Sequence, residues 1–79
     1  MTEAERKEAI TMFFALKGLT HREVEVASLV ATGMRAKDIG TNLCVGVQTV
    51  KFHLTNIYEK LKINNKRDLA LMVSKLVEQ

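Results

Sequence analysis

Four side chains in the second half of the chain recur at helical spacing and could contact a nucleic acid: Gln48, Lys51, Phe52 and Thr55. At about 100° per residue they share one face of a helix, and the first two turns of that face carry no acidic residue. Lysine can donate to guanine O6 and N7, threonine can make polar or methyl contacts, and an aromatic ring can cover a thymine methyl group. The set therefore suits base edges in the major groove of DNA.

The aromatic member of this face has two interpretations. An exposed Phe52 ring would explain an apolar residue on an otherwise polar face if it meets a thymine methyl group. The other interpretation is that the Phe52 ring packs against its own helix or against a neighbouring subunit. The sequence does not decide between DNA contact and packing. Gln48 and Thr49, with the free amides at the start of this helix, are placed to hold a phosphate.

The residue types that commonly serve catalysis or metal binding are sparse. Cys44, His21 and His53 do not make a metal-ligand set. We expect Cys44, in an apolar stretch, to be a small buried residue, and His53 to be a semi-buried structural histidine. The sequence has no phosphate-binding glycine loop, nucleophile constellation or carboxylate pair, so it predicts neither an enzyme nor a cofactor.

Composition points to one small helical domain. The 79 residues suffice for a single hydrophobic core, and one cysteine permits no intramolecular disulfide. The chain has no proline and four glycines, which favours helix throughout and predicts an all-α fold. A net charge of +3 permits nucleic-acid binding without proving it.

Capping residues and glycines divide the chain into helices. The apolar stripe of Ile10, Phe13 and Phe14 predicts a first helix over about 3–16 that ends near Gly18. Thr20 and Glu23 fit a capping box, which begins a second helix that Gly33 can end. A last helix over about 66–77 can be capped by Asn65, and its apolar stripe is Leu69, Met72, Val73 and Leu76.

Between these elements the spacing is that of a helix-turn-helix. A short helix over about 36–43 is followed by the turn 44–46 and by a fourth helix over about 47–61. Val50, Leu54, Ile57 and Leu61 of the fourth helix fall within one sector and predict its core side. A glycine inside a helix costs about 1 kcal/mol relative to alanine, so we attribute Gly40 to a tight helix crossing.

Over about Leu19 to Ala70 the chain resembles the LuxR family, also called the GerE or NarL type. The resemblance is carried by Leu19–Val26, Gly33, Lys37–Ile39 with Leu43, Thr49–His53, Asn56–Ile57 and Lys60–Leu61. It implies a four-helix domain at 18–79, a small helical bundle to which residues 1–17 add an N-terminal helical extension. The family's third helix reads the major groove, which implies base contacts from Lys51, Phe52 and Thr55. The implied phosphate contacts are Gln48, Thr49, Asn56, Lys60 and Lys66.

The resemblance also implies a dimer that forms through the last helix. The residues expected in the dimer interface are Leu69, Met72, Val73 and Leu76. These apolar side chains, with Leu71, exceed what one small core needs from a terminal helix. A symmetric dimer predicts a roughly palindromic site. Leu69 stands where the family usually has alanine, which would alter the dimer or merely fill the core.

Several positions depart from the family pattern. Gly46 stands where a capping serine is usual, Arg35 where a small capping hydroxyl is common, and Gly40 where alanine is usual. Lys66 replaces a typical arginine and lacks its bidentate fork. Family members usually carry a sensory domain ahead of this module, so the chain is either a free-standing regulator or an excised DNA-binding domain.

The predicted function is that of a sequence-specific DNA-binding transcription regulator whose partners are double-stranded DNA, a second copy, and RNA polymerase or another regulator. The alternative is a helical module that sequesters another LuxR-type regulator; a sigma-factor region fits the run at 49–53 less well. The acidic, polar start and the lack of a long apolar run predict no signal peptide or membrane span and a place in the bacterial cytoplasm.

Overall fold

A computed structural model describes residues 2–77, which form five helices and no strand. In chain order they are α1 (Glu3–Leu16), α2 (His21–Ala31), α3 (Ala36–Leu43), α4 (Val47–Leu61) and α5 (Lys66–Val77). All five predicted helices are confirmed, and so is the all-α class.

Local polar contacts explain where the helices begin. The Glu23 amide donates to the Thr20 hydroxyl at 3.2 Å, and the Thr20 amide donates to Glu23 Oε1 at 2.9 Å, which confirms the predicted capping box. Asn65 Oδ1 accepts from the Asp68 amide at 2.9 Å and so caps α5 as predicted. A second capping box, which was not predicted, is formed by Thr2 and Glu5 at the start of α1.

Turns with positive φ separate the first helices. Gly18 and Gly33 have φ values of +89° and +93°. Residues other than glycine rarely adopt this backbone conformation. Each follows the end of a helix, where such a residue lets the chain reverse. The two predicted stops after α1 and α2 are thereby confirmed.

One apolar core joins all five helices. Its fully buried large side chains come from every helix and are Phe14, Val26, Ile39, Val50, Ile57 and Leu69. The helix α2 packs against each of the other four helices and so lies at the centre of the bundle. Because Phe14 is fully buried here, α1 is packed into the same core as the residues after Gly18.

The packing of α1 explains the apolar excess of α5. The helix α1 packs against both α2 and α5. Phe13 of α1 lies beside Met72 and Leu76 of α5 in a shallow cleft. The helix α1 therefore covers part of the apolar side of α5. The number of apolar side chains on α5 does not by itself require a dimer.

Two expectations about the helix-turn-helix need correction. Cys44 is exposed, not buried, and it adopts the left-handed conformation, φ 60°, at the end of α3. Gly40 is a site of close approach, but the neighbour is the turn itself and not a crossing helix. A Cβ placed on Gly40 would lie 2.7 Å from the Val45 carbonyl oxygen.

Candidate nucleic-acid interface

The turn between α3 and α4 fixes the start of the proposed reading helix. The Val45 amide donates to the Gly40 carbonyl oxygen at 2.9 Å, which closes the end of α3. Gly46 then caps α4 without any side-chain hydrogen bond. The first amides of α4 are therefore not capped by a side chain, and an amide group at a helix N-terminus favours an anion.

Burial divides α4 into an inner and an outer face. Val50, Ile57 and Leu61 are buried in the core, and Leu54 is half-buried. The outer face consists of Gln48, Lys51, Phe52, Thr55 and Glu59, all exposed. The structure thus brings the three predicted base-reading residues to one exposed face, with Glu59 as its acidic group in the last turns.

The Phe52 ring lies on the surface of the subunit. Its side chain is 64% exposed, and its nearest aromatic neighbour is the half-buried His53, with 6.0 Å between the ring centroids. Contact with this neighbour on the same helix leaves most of the ring in solvent. Packing within the subunit therefore covers only a small part of Phe52, and its base contact stays a prediction.

The Thr55 hydroxyl is already engaged. It donates to the Lys51 carbonyl oxygen one turn earlier at 3.1 Å. A threonine bonded in this way turns its hydroxyl towards its own helix backbone. Thr55 therefore presents to a partner its methyl group and a hydroxyl oxygen whose proton is already used, which the sequence alone did not reveal.

The predicted phosphate contacts differ in their surroundings. Gln48 and Thr49 are exposed in the first turn of α4, Asn56 is half-buried two turns later, and Lys66 is exposed at the start of α5. These four positions lie on two helices. The four phosphate contacts stay predictions.

Lys60, the fifth predicted phosphate contact, is already paired within the chain. Its ammonium lies 2.6 Å from Glu23 Oε1, and the side chains of Lys60 and Glu23 are 36% and 6% exposed. Glu23 is the buried charged residue of the core region. In the chain without DNA the Lys60 side chain therefore neutralises a buried carboxylate, and its phosphate contact stays a prediction.

The ion pair of Glu23 and Lys60 was not predicted, although the position of Glu23 on α2 indicated that its carboxylate is buried. Glu23 stands three residues before Val26 and seven before Val30, on the side of α2 that is buried. A carboxylate on such a side requires a hydrogen-bonding or charged partner. The capping box accounted for one contact of Glu23, and nothing in the sequence pointed to Lys60 as the other.

The predicted dimer residues point mostly inwards. Leu69 is fully buried in the monomer core, which leaves it unavailable to a second subunit. Met72 and Val73 are half-buried and pack against that core, and Leu76 is half-buried beside Phe13. The large apolar residue that α5 exposes is Leu71, at 51%.

Residues 2–77 contain neither a cluster of metal-binding side chains nor a helix that could span a membrane. No three histidine, cysteine, aspartate or glutamate side chains within residues 2–77 are gathered where they could hold a metal ion. None of the helices over that range is long and apolar enough to span a membrane.

Residues 17–73 match the family described as bacterial regulatory proteins, luxR family. The chain is 40% identical over 55 residues to the transcriptional regulatory protein LiaR of Bacillus subtilis, an alignment that covers 70% of this chain and 26% of LiaR. It is 43% identical over 54 residues to the oxygen regulatory protein NreC of Staphylococcus epidermidis, covering 68% and 25% of the two proteins.

A third relative is the putative HTH-type transcriptional regulator YhjB of Escherichia coli, 36% identical over 59 residues, with 75% of this chain and 30% of YhjB aligned. The alignments thus span less than a third of the length of these relatives. No solved structure matches the chain significantly. The family match covers most of the chain, and the chain belongs to the luxR family of bacterial regulatory proteins.

Proposed function

We propose that the chain binds double-stranded DNA in a sequence-specific manner and regulates transcription, with α4 in the major groove. The observation that carries this proposal is the exposed face of α4, where Lys51, Phe52 and Thr55 stand together opposite the buried side of the helix. An α-helix fits the major groove, and its N-terminal turns approach the base edges most closely. Family membership supports the same conclusion.

The backbone contacts of the proposed complex fall along α4 and at the start of α5. Gln48 and Thr49 flank the uncapped amides of the first turn, where the helix dipole favours an anion. Asn56 and Lys60 further along α4, and Lys66 on α5, would extend these contacts along the strand. Phosphate contacts of this kind set the register of the protein on the duplex, whereas the base contacts supply the preference.

We further propose that two copies bind a roughly palindromic site. Leu71, with the partly exposed portions of Met72 and Val73, offers an apolar surface on α5 for a second copy. Dimers of helix-turn-helix domains place their two recognition helices about one helical turn of DNA apart, which is the spacing expected of the two half-sites. RNA polymerase or another regulator would be a further partner, and the site of action would be the bacterial cytoplasm.

Selection of bound duplexes from a random pool tests the proposal. The purified 79-residue chain is incubated with the pool at about 150 mM salt, which suppresses non-specific attraction. Enrichment of one sequence is expected, and an inverted repeat would support the dimer. The matched control is Lys51→Ala in the same selection, because a chain that reads bases through Lys51 must lose part of its preference.

The alternative function is sequestration of another regulator by protein contact. It is favoured by the outward face of α1, where Met12 is 58% and Leu16 is 85% exposed. A chain that enriches no duplex yet forms a stoichiometric complex with a purified luxR-type regulator would establish this alternative. Substituting Leu16 by lysine would then abolish the complex.

A further inference from the structure

We propose that a cleft between α1 and α3 binds a small organic acid with an apolar body, such as an aromatic or short-chain carboxylate. Both helices pack against α2, and the cleft that they leave beside α2 has a volume of about 340 Å³. This volume lies at the lower end of the range of small-molecule sites, about 300–1,000 Å³. The ligand would bind apart from the outer face of α4, none of whose residues lines this α1–α3 cleft.

Most of the surface of the α1–α3 cleft is apolar. Val24 and Leu29 of α2 and Leu43 of α3 line it. Leu29 and Leu43 pack against the core, yet both are only half-buried and keep part of their surface open to the cleft. An apolar ligand body that covers them removes this remaining surface from water. It would also contact the last residue of α3, directly before the turn that leads into α4.

Three polar side chains that line the same cleft are not engaged by the described part of the chain. They are Lys7 of α1, Ser28 of α2 and Asn42 of α3, so each helix contributes one. Within residues 2–77 none of the three side chains makes a hydrogen bond or an ion pair. All three can donate to an oxygen acceptor, and a carboxylate is the acceptor that an ammonium group favours most.

The charges around the cleft favour an anion. Its acidic residue is Glu25, whose Oε1 lies 3.6 Å from an Arg22 guanidinium nitrogen and 3.8 Å from His21 Nε2. This carboxylate is therefore already countered by neighbours on its own helix. The Lys7 ammonium has no such counter-charge within residues 2–77. A ligand that supplies one negative charge complements the cleft.

Lys7 lies where this cleft meets a second one. The second cleft, of about 320 Å³, runs along α1 and α2 and shares Lys7, Ser28 and Leu29 with the first. It adds one cation and one acid, Arg6 and Glu3, and therefore no net charge. The carboxylate of the ligand is thus expected at Lys7, with the apolar body over Leu29.

Three probes that share one apolar body test the site on the full 79-residue chain. They are 4-phenylbutyrate, the neutral 4-phenylbutanamide and the cationic 4-phenylbutylamine, each titrated into isotope-labelled protein and followed by amide chemical shifts. For the carboxylate we expect a Kd on the order of 1 mM, since it has about twelve non-hydrogen atoms. It should bind about threefold more tightly than the amide, because an ion pair with an exposed lysine is weak. The amine should bind least, and the shifted amides should surround Lys7, Ser28 and Asn42.

Variants assign the binding to the cleft. Lys7→Gln should reduce the affinity for the carboxylate to that for the amide and leave the affinity for the amide unchanged. The matched control is Lys75→Gln, at an exposed lysine beside the cleft of α1 and α5, which should keep the preference. Ser28→Leu places an apolar side chain in the cleft and should abolish saturable shifts with all three probes. Circular dichroism checks that each variant folds, and Lys7→Gln decides alone if Ser28→Leu does not.

Three results would each overturn the site. The first is the absence of saturable shifts up to about 10 mM carboxylate, a concentration well above the expected Kd. The second is a set of shifts centred elsewhere, on α4 or on the cleft of α1 and α5. The third is a preference for the carboxylate that survives Lys7→Gln. The selection of bound duplexes is a separate measurement, so the proposed DNA binding can stand when this site fails, and the reverse.

Discussion

Glu23 and Lys60 tie the helix α2 to the proposed reading helix α4, with 2.6 Å between Lys60 Nζ and Glu23 Oε1. The same Oε1 atom accepts from the Thr20 amide at 2.9 Å, so one carboxylate both caps α2 and holds α4. Burial raises the pKa of Glu23, but the hydrogen bonds from Lys60 and Thr20 and the charge of Lys60 outweigh it, and the pKa lies below 4.5. The folded chain therefore favours the ionised form.

The first prediction concerns stability against acid. Because the folded pKa of Glu23 is depressed, its contribution is complete above pH 4.5 and is lost as the pH falls towards the folded value. Glu23→Gln should lower the free energy of unfolding at pH 7 by about 1–2 kcal/mol, less than for a fully buried pair because Lys60 remains partly exposed. Urea denaturation followed by circular dichroism measures this at several pH values.

The matched control for this substitution is Glu5→Gln. Glu5 forms the same capping box with Thr2, but it is exposed and makes no ion pair with any residue between 2 and 77. We expect a smaller loss at pH 7 from this change. Glutamine can still accept the cap's amide hydrogen bond, so equal losses from the two variants would mean that the carboxylate charge at the helix start, and not the pairing with Lys60, carries the effect of Glu23.

The second prediction separates two lysines of α4. Lys51→Ala should cost about 1–3 kcal/mol of binding free energy on the selected duplex and relax base preference. Lys60→Ala should act chiefly on folding, because it leaves the buried Glu23 without its cation. Titrations of each variant with the selected duplex and with a scrambled duplex, beside urea denaturation, distinguish the two roles.

Lys7→Ala serves as the control for a simple loss of charge, since Lys7 is exposed on α1, away from α4. Its binding should show no change in base preference. If Lys51→Ala weakened binding to both duplexes equally, the assignment of Lys51 to base reading would be wrong.

The helices were predictable because their ends carry local signals. Thr20, Asn65, Gly18 and Gly33 act within a few residues of their own position, and the structure bears out each of them. What the sequence did not reveal depends on distant parts of the chain. Lys60 is 37 residues from Glu23, so no local pattern links them.

The same distinction explains the error at Cys44 and the contact between α1 and α5 that was not predicted. An apolar neighbourhood suggested a buried Cys44, but the residue is exposed and in the left-handed conformation at the end of α3. The apolar stripe of α5 suggested a second subunit, because its covering by Phe13 of α1 depends on how two ends of the chain meet. The exposed face of α4 was predictable, since helical periodicity alone defines it.

The third prediction concerns the space beside Gly40. A Cβ there would lie 2.7 Å from the Val45 carbonyl oxygen, and a backbone atom cannot move aside cheaply. Gly40→Ala gains about 1 kcal/mol of helix propensity but should lose more to crowding, for a net destabilisation of about 1 kcal/mol. Thr41→Ala, at the exposed neighbouring position, is the control for propensity. A Gly40→Ala chain more stable than the parent in urea would show that the turn adjusts.

The fourth prediction is a gain in stability at the start of α4. Gly46 caps this helix with φ −72° and ψ 156°, a conformation open to any residue, and a Cβ there would meet nothing within 4 Å. Gly46→Ser should add a hydroxyl acceptor for the first-turn amides and reduce the entropy of the unfolded chain, raising the free energy of unfolding by about 0.5–1 kcal/mol.

Gly46→Ala tests the cause of that gain, since it supplies the Cβ without the hydroxyl. If the serine stabilises the chain by capping, alanine should give little or no gain in urea denaturation. Equal gains from both would assign the effect to the unfolded chain alone. Because the serine would occupy the amides proposed to hold a phosphate, the variant should also reveal, through its DNA affinity, whether those amides contribute to binding.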